Sequence, residues 1–466
     1  MNRRDFIKKS SLVGCAAMAN QVYSNSKLPK TATRPNILFL FTDQQTMNAL
    51  SANGNPYVYT PNMDSLAAFG VNFKNCYCSS PISGPSRSSL ISGKMPHSTG
   101  VLYNDDKPLE SIQNFGQILR NSGYKTYWAG KWHLPENYPH SLGLKEIPGF
   151  EVLDFMDRDK MSGKGEITDH PLAMKVSDFL QNKMQEPFVL GVSLHNPHDI
   201  CYVPREPDRY PKLQNISSAP PLPYNFAIPA FEPQFIQDCR TRNYYGNEIS
   251  MTHQYSEEDW RNYLHHYYRM VEEVDKEIGI IIEALEKAEL DENTLIIFTS
   301  DHGDGGASHQ WAAKLNFYEE AMRVPFIITQ FGKTPKGVSF ENYLCSGLDV
   351  FPTILDYAGI PIPSDCQGKS LKPLVEGQQF EDREFVVAEL FPDPKNKTRM
   401  GRMIRTKTYK YNLFSYGEKR EQLFDLSKDP GETIDLSTDV NLLEVKMYHK
   451  ELLQTWCRQN MDAFTF

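Results

Sequence analysis

The chain has 466 residues, of which 40% are hydrophobic and 23% are charged. This balance is typical of globular proteins and excludes a largely disordered chain. The formal net charge of -9 excludes an overall basic surface of the kind that binds nucleic acids, although cations gathered in one cleft could still bind an anion.

The N-terminus is predicted to direct export. Arg3 and Arg4 resemble the paired arginines of a twin-arginine signal, and a short apolar stretch and a small-residue cleavage motif follow them. We therefore assign residues 1–19 to a signal peptide and residues 20–33 to a polar tether, which predicts a periplasmic or otherwise exported protein. The alternatives are a chance basic start on a cytoplasmic protein and lipid attachment at Cys15. No other stretch approaches the roughly 18 apolar residues that span a bilayer.

The middle of the chain alternates between strand and helix patterns. Continuous apolar runs predict strands that are buried on both faces, and apolar residues at helical spacing predict helices between them. In chain order these are strand 37–41, helix 114–122, strand 188–192, helix 263–285, strand 295–298 and strand 326–329. Residues 200–260 lack periodicity and are predicted to form a surface excursion. The alternation predicts an α/β sandwich.

The pattern changes after residue 375. Short strands are predicted at residues 385–388 and 410–413, and a closing helix is predicted near residues 440–456. We therefore divide the chain into a large domain over residues 34–375 and a small α+β domain over residues 376–466 that contains an antiparallel sheet.

Two pairs of polar residues directly follow buried strands. Asp43 and Gln44 follow the first strand, and Asp301 and His302 follow the strand at residues 295–298. Open α/β sheets bind ligands at the carboxyl ends of their strands. Carboxylates and an amide oxygen suit a hard divalent cation, and an imidazole also admits transition metals. The alternative interpretation is that these residues cap loops, as Asp often does.

The segment at residues 83–93 carries the most specific motif. Read alone, it is a serine-rich turn that enters a helix, with Pro85 in the first turn. It also resembles the sulfatase signature at every fixed position, from Ser83 through Pro85, Ser86 and Arg87 to Gly93. The resemblance implies that Ser83 is oxidised to formylglycine. Arg87 would lie one helical turn away and could hold the diol or metal-side oxygens.

Three further motifs resemble segments of the same family. In this family, the lysines at the positions of Lys131 and Lys314 bind the sulfate. The histidine at the position of His133 contacts the formylglycine hydrate, and the histidine at the position of His198 faces the scissile oxygen. Read singly, each lysine is an ordinary surface residue and each histidine a structural one. The ordered set across residues 43–314 makes coincidence negligible, and similar segments extend the resemblance toward the C-terminus. The implied fold is that of alkaline phosphatase relatives, an α/β fold with a mixed, mainly parallel sheet between helix layers.

The resemblance implies a sulfatase that hydrolyses sulfate monoesters, with sulfated carbohydrates as the expected substrates. It implies one divalent metal held by Asp43, Gln44, Asp301, His302 and the modified Ser83, with Ca²⁺ expected and Mg²⁺ or Mn²⁺ open. The commonest family pattern has Asp-Asp and Asp-Asn in the two pairs, so Gln44 and His302 leave the identity of the metal open.

Two alternatives to a sulfatase remain at this point. Phosphodiester or phosphonate monoester hydrolases of the same superfamily also use formylglycine and an Asp-Gln first pair. A non-catalytic binder of sulfated glycans would be the alternative if Ser83 stayed unmodified. Because position 83 is a serine and not a cysteine, the resemblance also implies a radical maturase in the cytoplasm as a partner.

Overall fold

The structure is a computed structural model that describes residues 34–134, 144–153, 164–182, 187–242 and 248–466. The predicted signal peptide, the tether and Cys15 lie outside the described residues. Within them, no helix has the length and apolar character needed to cross a membrane.

A large mixed sheet forms the centre of the protein. Its strands are β1 Asn36–Asp43, β2 Val71–Tyr77, β3 Lys125–Gly130, β4 Glu146–Ile147, β5 Phe150–Val152, β6 Phe188–Pro197, β7 Thr294–Ser300, β8 Arg323–Val324, β9 Phe326–Thr329 and β10 Val338–Ser346. They lie in the order β10-β2-β9-β7-β1-β6-β3-β5-β4, and β8 pairs with β2 beside this series.

Strand β1 runs through the middle of this sheet. It pairs in parallel with β6 on one side and with β7 on the other, so that Phe39 lies opposite both Gly191 and Ile297. Every residue of β1 is buried, which explains its continuous apolar run. Phe39 and Phe41 stack on one face of the strand, and Phe39 packs edge-on against Phe115 of a covering helix.

Strand β9 runs against its neighbours. It is antiparallel to β7 and to β2, although its sequence is as continuously apolar as that of the parallel strands. Burial on both faces therefore fixes the apolar character of a strand but not its direction. The predicted fold class, a mixed and mainly parallel sheet between helices, is confirmed.

The helices pack in groups on the sheet. The helices are α1 Pro61–Phe69, α2 Ser83–Ser92, α3 Pro96–Thr99, α4 Phe115–Asn121, α5 Gly165–Asn182, α6 Gln234–Thr241, α7 Glu248–Met251, α8 Glu257–Lys287, α9 Glu319–Met322, α10 Val350–Tyr357, α11 Lys372–Val375 and α12 Leu443–Gln459. Helices α5 and α8 pack against each other and against β6, while α2, α4 and α10 contact one another.

Helix α8 is longer than the sequence predicted. It begins at Glu257 because Ser256 caps it in a reciprocal capping box with Asp259. The additional residues bury Trp260 and Asn262. The apolar periodicity of residues 263–285 missed this first part because its buried residues are aromatic and polar.

The C-terminal region forms a separate antiparallel sheet. Its strands are β11 Phe385–Leu390, β12 Gly401–Thr406, β13 Tyr409–Phe414 and β14 Glu421–Asp425, paired in that order. Helix α12 buries Leu453 and Cys457 in the core of this sheet with Ile404 and Leu423. The predicted antiparallel sheet and closing helix are confirmed, whereas the boundary between residues 375 and 376 stays a prediction.

Candidate active site

Four strands deliver polar side chains to one edge of the large sheet. Asp43 ends β1, Asp301 follows β7, Lys131 follows β3 and His198 follows β6. Because β1 pairs in parallel with both β6 and β7, and β3 pairs in parallel with β6, their carboxyl ends meet. The structure therefore brings these sequence-predicted residues together at the edge where α/β sheets bind ligands.

Ser83 lies at the first position of helix α2, facing this edge. Its side chain is fully buried, and its hydroxyl lies 2.9 Å from Nε2 of His302. The next backbone N–H, that of Gly84, donates to Oδ1 of Asn104 at 2.7 Å. A Cβ at position 84 would lie 3.0 Å from that oxygen, so glycine permits the close approach.

His302 is held as a neutral ring. Its Nδ1 lies 2.9 Å from the carbonyl oxygen of Gly303, so Nδ1 must carry the proton and donate it. Nε2 therefore presents a lone pair, which faces the Ser83 hydroxyl and, at 3.2 Å, Nζ of Lys314. Burial lowers the pKa of His302 to about 4, against the opposing effect of Asp301. A histidine whose second nitrogen donates to a carbonyl has the form of a metal ligand.

Arg87 forms ion pairs with both Asp43 and Asp301. Its Nη2 donates to Asp43 at 2.7 Å and its Nε donates to Asp301 at 2.9 Å. Nη1 donates to the carbonyl of Lys131 and to the hydroxyl of Ser193. These contacts use four of the five guanidinium N–H groups. Arg87 therefore fixes where the carboxylates of Asp43 and Asp301 point, and its contact with diol or metal-side oxygens stays a prediction.

Of the two carboxylate oxygens of Asp43, one accepts hydrogen bonds within the described residues and the other does not. Oδ2 accepts from Arg87 and from Nζ of Lys131, each at 2.7 Å. Among the described residues, no group donates to the buried Oδ1. Burial raises the pKa of Asp43, but the cations Lys131, Arg87 and Lys314 and the nearby His198 hold the pKa well below its ordinary value. An ionised, buried oxygen without a donor is costly unless a cation lies beside it.

The predicted metal ligands fit a divalent cation. Ligand atoms of Asp43, Asp301 and His302 lie within 4.8 Å of one another, and all three residues are buried. The amide oxygen of Gln44 accepts a hydrogen bond from Nζ of Lys314 at 3.1 Å, so it points to the same region. Two carboxylates, an amide oxygen and a neutral imidazole together form a donor set for Ca²⁺, Mg²⁺ or Mn²⁺.

Two buried lysines complete the set of charged residues at the site. Lys131 and Lys314 are both buried, Lys131 against Asp43 and Lys314 against Gln44 and His302. Burial lowers the pKa of Lys131 against the opposing effect of Asp43. Lysines in such a position are able to bind an anion that enters the site.

The two remaining predicted residues lie beside these groups, with His133 buried and His198 half-buried. Burial and the neighbouring Lys131 hold the pKa values of His133 and His198 well below their ordinary range. The ring of His198 packs edge-on against His195, with centroids 5.0 Å apart. The neighbouring Asp199 accepts the N–H groups of Gly165 and of the residue after it, which ties this turn to helix α5.

Sequence reasoning missed three residues that hold the site in shape. Asp304 accepts from the Gln44 amide, Tyr263 donates to Asp304, and Ser193 accepts from Arg87. Asp304 had a local signal, because it lies among glycines in the segment that follows a buried strand. Tyr263 and Ser193 carried no such signal.

Comparisons with known proteins identify the family. The sulfatase family model matches residues 35–360, and the model of the N-sulphoglucosamine sulphohydrolase C-terminal region matches residues 307–459. The chain is 29% identical over 472 residues to a delta 4,5-hexuronate-2-O-sulfatase of Bacteroides thetaiotaomicron, covering 97% of this chain and 92% of that protein.

Solved structures show the same architecture. A 2-O GAG sulfatase is 28% identical, with a TM-score of 0.82 and coverage of 92% of this chain and 93% of that one. A phosphonate monoester hydrolase of Agrobacterium radiobacter shares the fold, with a TM-score of 0.75, 24% identity and coverage of 92% and 96%. Sulfatases generally use a divalent metal and formylglycine, and the described residues include a candidate metal-binding group. The chain therefore belongs to the sulfatase family and is a sulfuric ester hydrolase with the fold of alkaline phosphatase relatives.

Proposed function

We propose that this sulfatase acts on sulfated carbohydrates, with a formylglycine made from Ser83 and with Ca²⁺ held by Asp43, Gln44, Asp301 and His302. The position of Ser83 carries the proposal. Its hydroxyl lies at the start of a helix, 2.9 Å from a lone pair of His302, in a buried site that contains two lysines. A helix start also presents its positive dipole end to an anionic substrate.

An unmodified serine is poorly suited to attack here. A serine hydroxyl needs an adjacent base whose pKa lies near the working pH. The nearest candidate, His302, has a pKa lowered by burial to about 4, and its Nε2 also faces the ammonium of Lys314. His302 is therefore a weak base, which fits a metal ligand better than the partner of a nucleophilic serine.

The modified residue and the metal supply what the unmodified chain lacks. A hydrated aldehyde at position 83 would provide one hydroxyl to attack sulfur and a second to release sulfate, beside a cation that offsets negative charge. Lys131 and Lys314 neutralise charge on the sulfate oxygens within a preorganised site. Arg87 keeps the carboxylates of Asp43 and Asp301 in place.

The histidines are assigned to proton transfer. His198 or a nearby group protonates the leaving alcohol, and His133 assists the elimination of sulfate. Burial keeps the pKa of His198 low in the free protein. The negative charge of a bound sulfate ester raises the pKa of His198 and so favours its protonated form, which is the form that can donate a proton to the leaving alcohol.

Maturation and export complete the proposal. We assign the oxidation of Ser83 to a cytoplasmic radical maturase that acts before folding, and export of the folded protein to a twin-arginine signal in residues 1–19. This order is consistent with a serine at position 83 and with export of proteins that have already folded. Sulfated sugars are the proposed substrates because similar proteins are named as a hexuronate-2-O-sulfatase and an N-acetylglucosamine-6-O-sulfatase.

A phosphonate monoester hydrolase is the alternative that an observation favours. Gln44 departs from the commonest sulfatase pattern, and a hydrolase of that class shares the fold. The test compares 4-nitrophenyl sulfate with 4-nitrophenyl phenylphosphonate, which share a leaving group, and uses Ser83→Ala as the control for contaminating hydrolases. We expect kcat/KM to be higher for the sulfate ester. A higher value for the phosphonate that disappears in Ser83→Ala would establish the alternative.

A further inference from the structure

The side-chain amide of Gln44 is oriented by two opposite partners. Its Nε2 donates to Oδ2 of Asp304 at 2.8 Å, and its Oε1 accepts from Nζ of Lys314 at 3.1 Å. A carboxylate only accepts hydrogen bonds and a lysine ammonium only donates them, so the two contacts fix which end of the amide is the oxygen. The oxygen therefore faces the proposed metal site, and the nitrogen faces away from it.

Asp304 is surrounded by donors. Besides Gln44, its carboxylate accepts from the hydroxyl of Tyr263 at 2.9 Å, the N–H of Gly306 at 2.8 Å and the N–H of Ala313 at 3.1 Å. The residue is fully buried. Four donor groups that converge on one buried carboxylate match its ionised, acceptor-only form.

This arrangement places a negative charge one hydrogen bond away from a neutral ligand. The commonest sulfatase pattern has a carboxylate at the position of Gln44, whereas this chain has an amide there and an ionised partner behind it. We propose that Asp304 is a positioning residue for the metal. It keeps the Gln44 oxygen turned toward the cation and increases the partial negative charge on that oxygen. The inference rests on the metal site of the proposed function.

Replacing Asp304 by asparagine would bring an NH₂ group among these donors. The N–H groups of Gly306 and Ala313 cannot become acceptors. Of the side chains, the hydroxyl of Tyr263 can accept as well as donate, and the Gln44 amide can reverse. A reversed amide would turn its own NH₂ toward Lys314 and the metal. The loss of such supporting contacts typically lowers metal affinity about 10–100-fold.

The double variant Gln44→Glu/Asp304→Asn exchanges the two side-chain chemistries. It keeps the net charge, places an acceptor oxygen toward Lys314 and gives the NH₂ group of the introduced asparagine a carboxylate to bind. It should therefore recover metal affinity to within about threefold of the wild-type value. Because Gln44→Glu alone adds an anionic ligand, it is measured as well, and a merely structural role for Asp304 would give Asp304→Asn the same cost beside Gln44→Glu as in the wild-type background.

The test is calorimetric titration of Ca²⁺ into chelator-treated protein. The variants are Asp304→Asn, Gln44→Glu, the double variant and the control Asp275→Asn. The control removes another buried carboxylate, that of Asp275 farther along helix α8, which accepts hydrogen bonds from the backbone N–H groups of Asn62 and Met63. We expect a loss of at least about tenfold in Ca²⁺ affinity for Asp304→Asn, rescue in the double variant and a change below about threefold for Asp275→Asn, with folding checked by circular dichroism.

The outcomes separate the inference from the proposed function. If the wild-type protein binds Ca²⁺ and folded Asp304→Asn binds it equally well, the inference is wrong and the metal site stands. If the wild-type protein binds none of Ca²⁺, Mg²⁺ and Mn²⁺, the metal site itself is wrong and the inference falls with it. If Asp304→Asn does not fold, Ca²⁺ binding by the double variant supports the inference, and its failure to bind overturns it.

Discussion

Removing the guanidinium of Arg87 should destabilise the metal-free protein and impair catalysis. In the wild-type protein this group, which is only 2% exposed, pairs with Asp43 at 2.7 Å and with Asp301 at 2.9 Å. It also packs over the ring of Phe41, with 4.9 Å from its central carbon to the ring centroid. Arg87→Met keeps most of the apolar stem but leaves two buried carboxylates without this partner.

The expected loss follows from the burial of the pair. Removing one partner of a buried ion pair typically costs about 3–5 kcal/mol, because an uncompensated charge remains. Asp43 keeps Lys131, and Asp301 keeps the N–H groups of Gln44 and His302, so we expect a loss within that range and not twice as large. Arg87→Lys should recover only part of it, because one ammonium cannot reproduce the fork that spans both carboxylates.

The assay is urea denaturation in the presence of a chelator, so that a bound cation cannot offset the loss, with kcat measured in Ca²⁺. Arg383→Met is the matched control, because Arg383 makes a buried bidentate pair with Asp349 away from the site. The control should lose comparable stability and keep kcat, whereas Arg87→Met should lose both. A free energy of unfolding of Arg87→Met within about 1 kcal/mol of wild type would refute the bridging role, since that change is far below the expected loss.

Three further predictions address the nucleophile, the metal and pH. Ser83→Ala should lower kcat by at least about 10⁴-fold and leave the melting temperature unchanged; residual sulfatase activity well above background would refute the formylglycine mechanism. A chelator should abolish activity and Ca²⁺ should restore it, with Asp301→Ala more damaging than Gln44→Ala because it removes an anionic ligand; full activity in protein shown by elemental analysis to be metal-free would contradict this. Burial lowers the pKa of His97, but the neighbouring Glu389 outweighs burial, so the pKa is raised in the folded protein. The His97–Glu389 pair therefore contributes its full stabilisation below the unfolded pKa of about 6.5 and loses it as the pH rises through the folded pKa. Urea denaturation from about pH 5.5 to about pH 9 should therefore show the advantage of the wild type over His97→Gln shrinking with rising pH, and a constant or growing difference would contradict it.

The sequence predicted the parts of the site that local patterns encode. Asp43 and Asp301 follow continuous apolar strands, and the meeting of parallel strand ends then brings them together. Ser83 begins a helix where the turn and the proline indicated one. These features depend on residues that are close in sequence or on a general property of the fold.

The contacts that give the site its shape could not be predicted in this way. Tyr263 reaches Asp304 across 41 positions of sequence, from the start of a helix whose first turns carry no clear apolar periodicity. Ser193 reaches Arg87 across 106 positions. Such contacts depend on how helices and strands pack in three dimensions. For the same reason, the motif predicted Arg87 as part of the site but not its contact with both carboxylates.

The mass of the peptide that carries Ser83 tests the central claim most directly. Trypsin should release residues 75–87 from protein purified from the periplasm of the native host, and fragmentation would locate the modification. The account predicts a peptide about two mass units lighter than the unmodified sequence, the loss of two hydrogens at Ser83. Protein from a host without the radical maturase should carry the unmodified mass, remain folded and be inactive. Unmodified Ser83 in an active preparation would contradict the account, and unmodified Ser83 in an inactive protein that binds sulfated glycans would favour a binding protein instead.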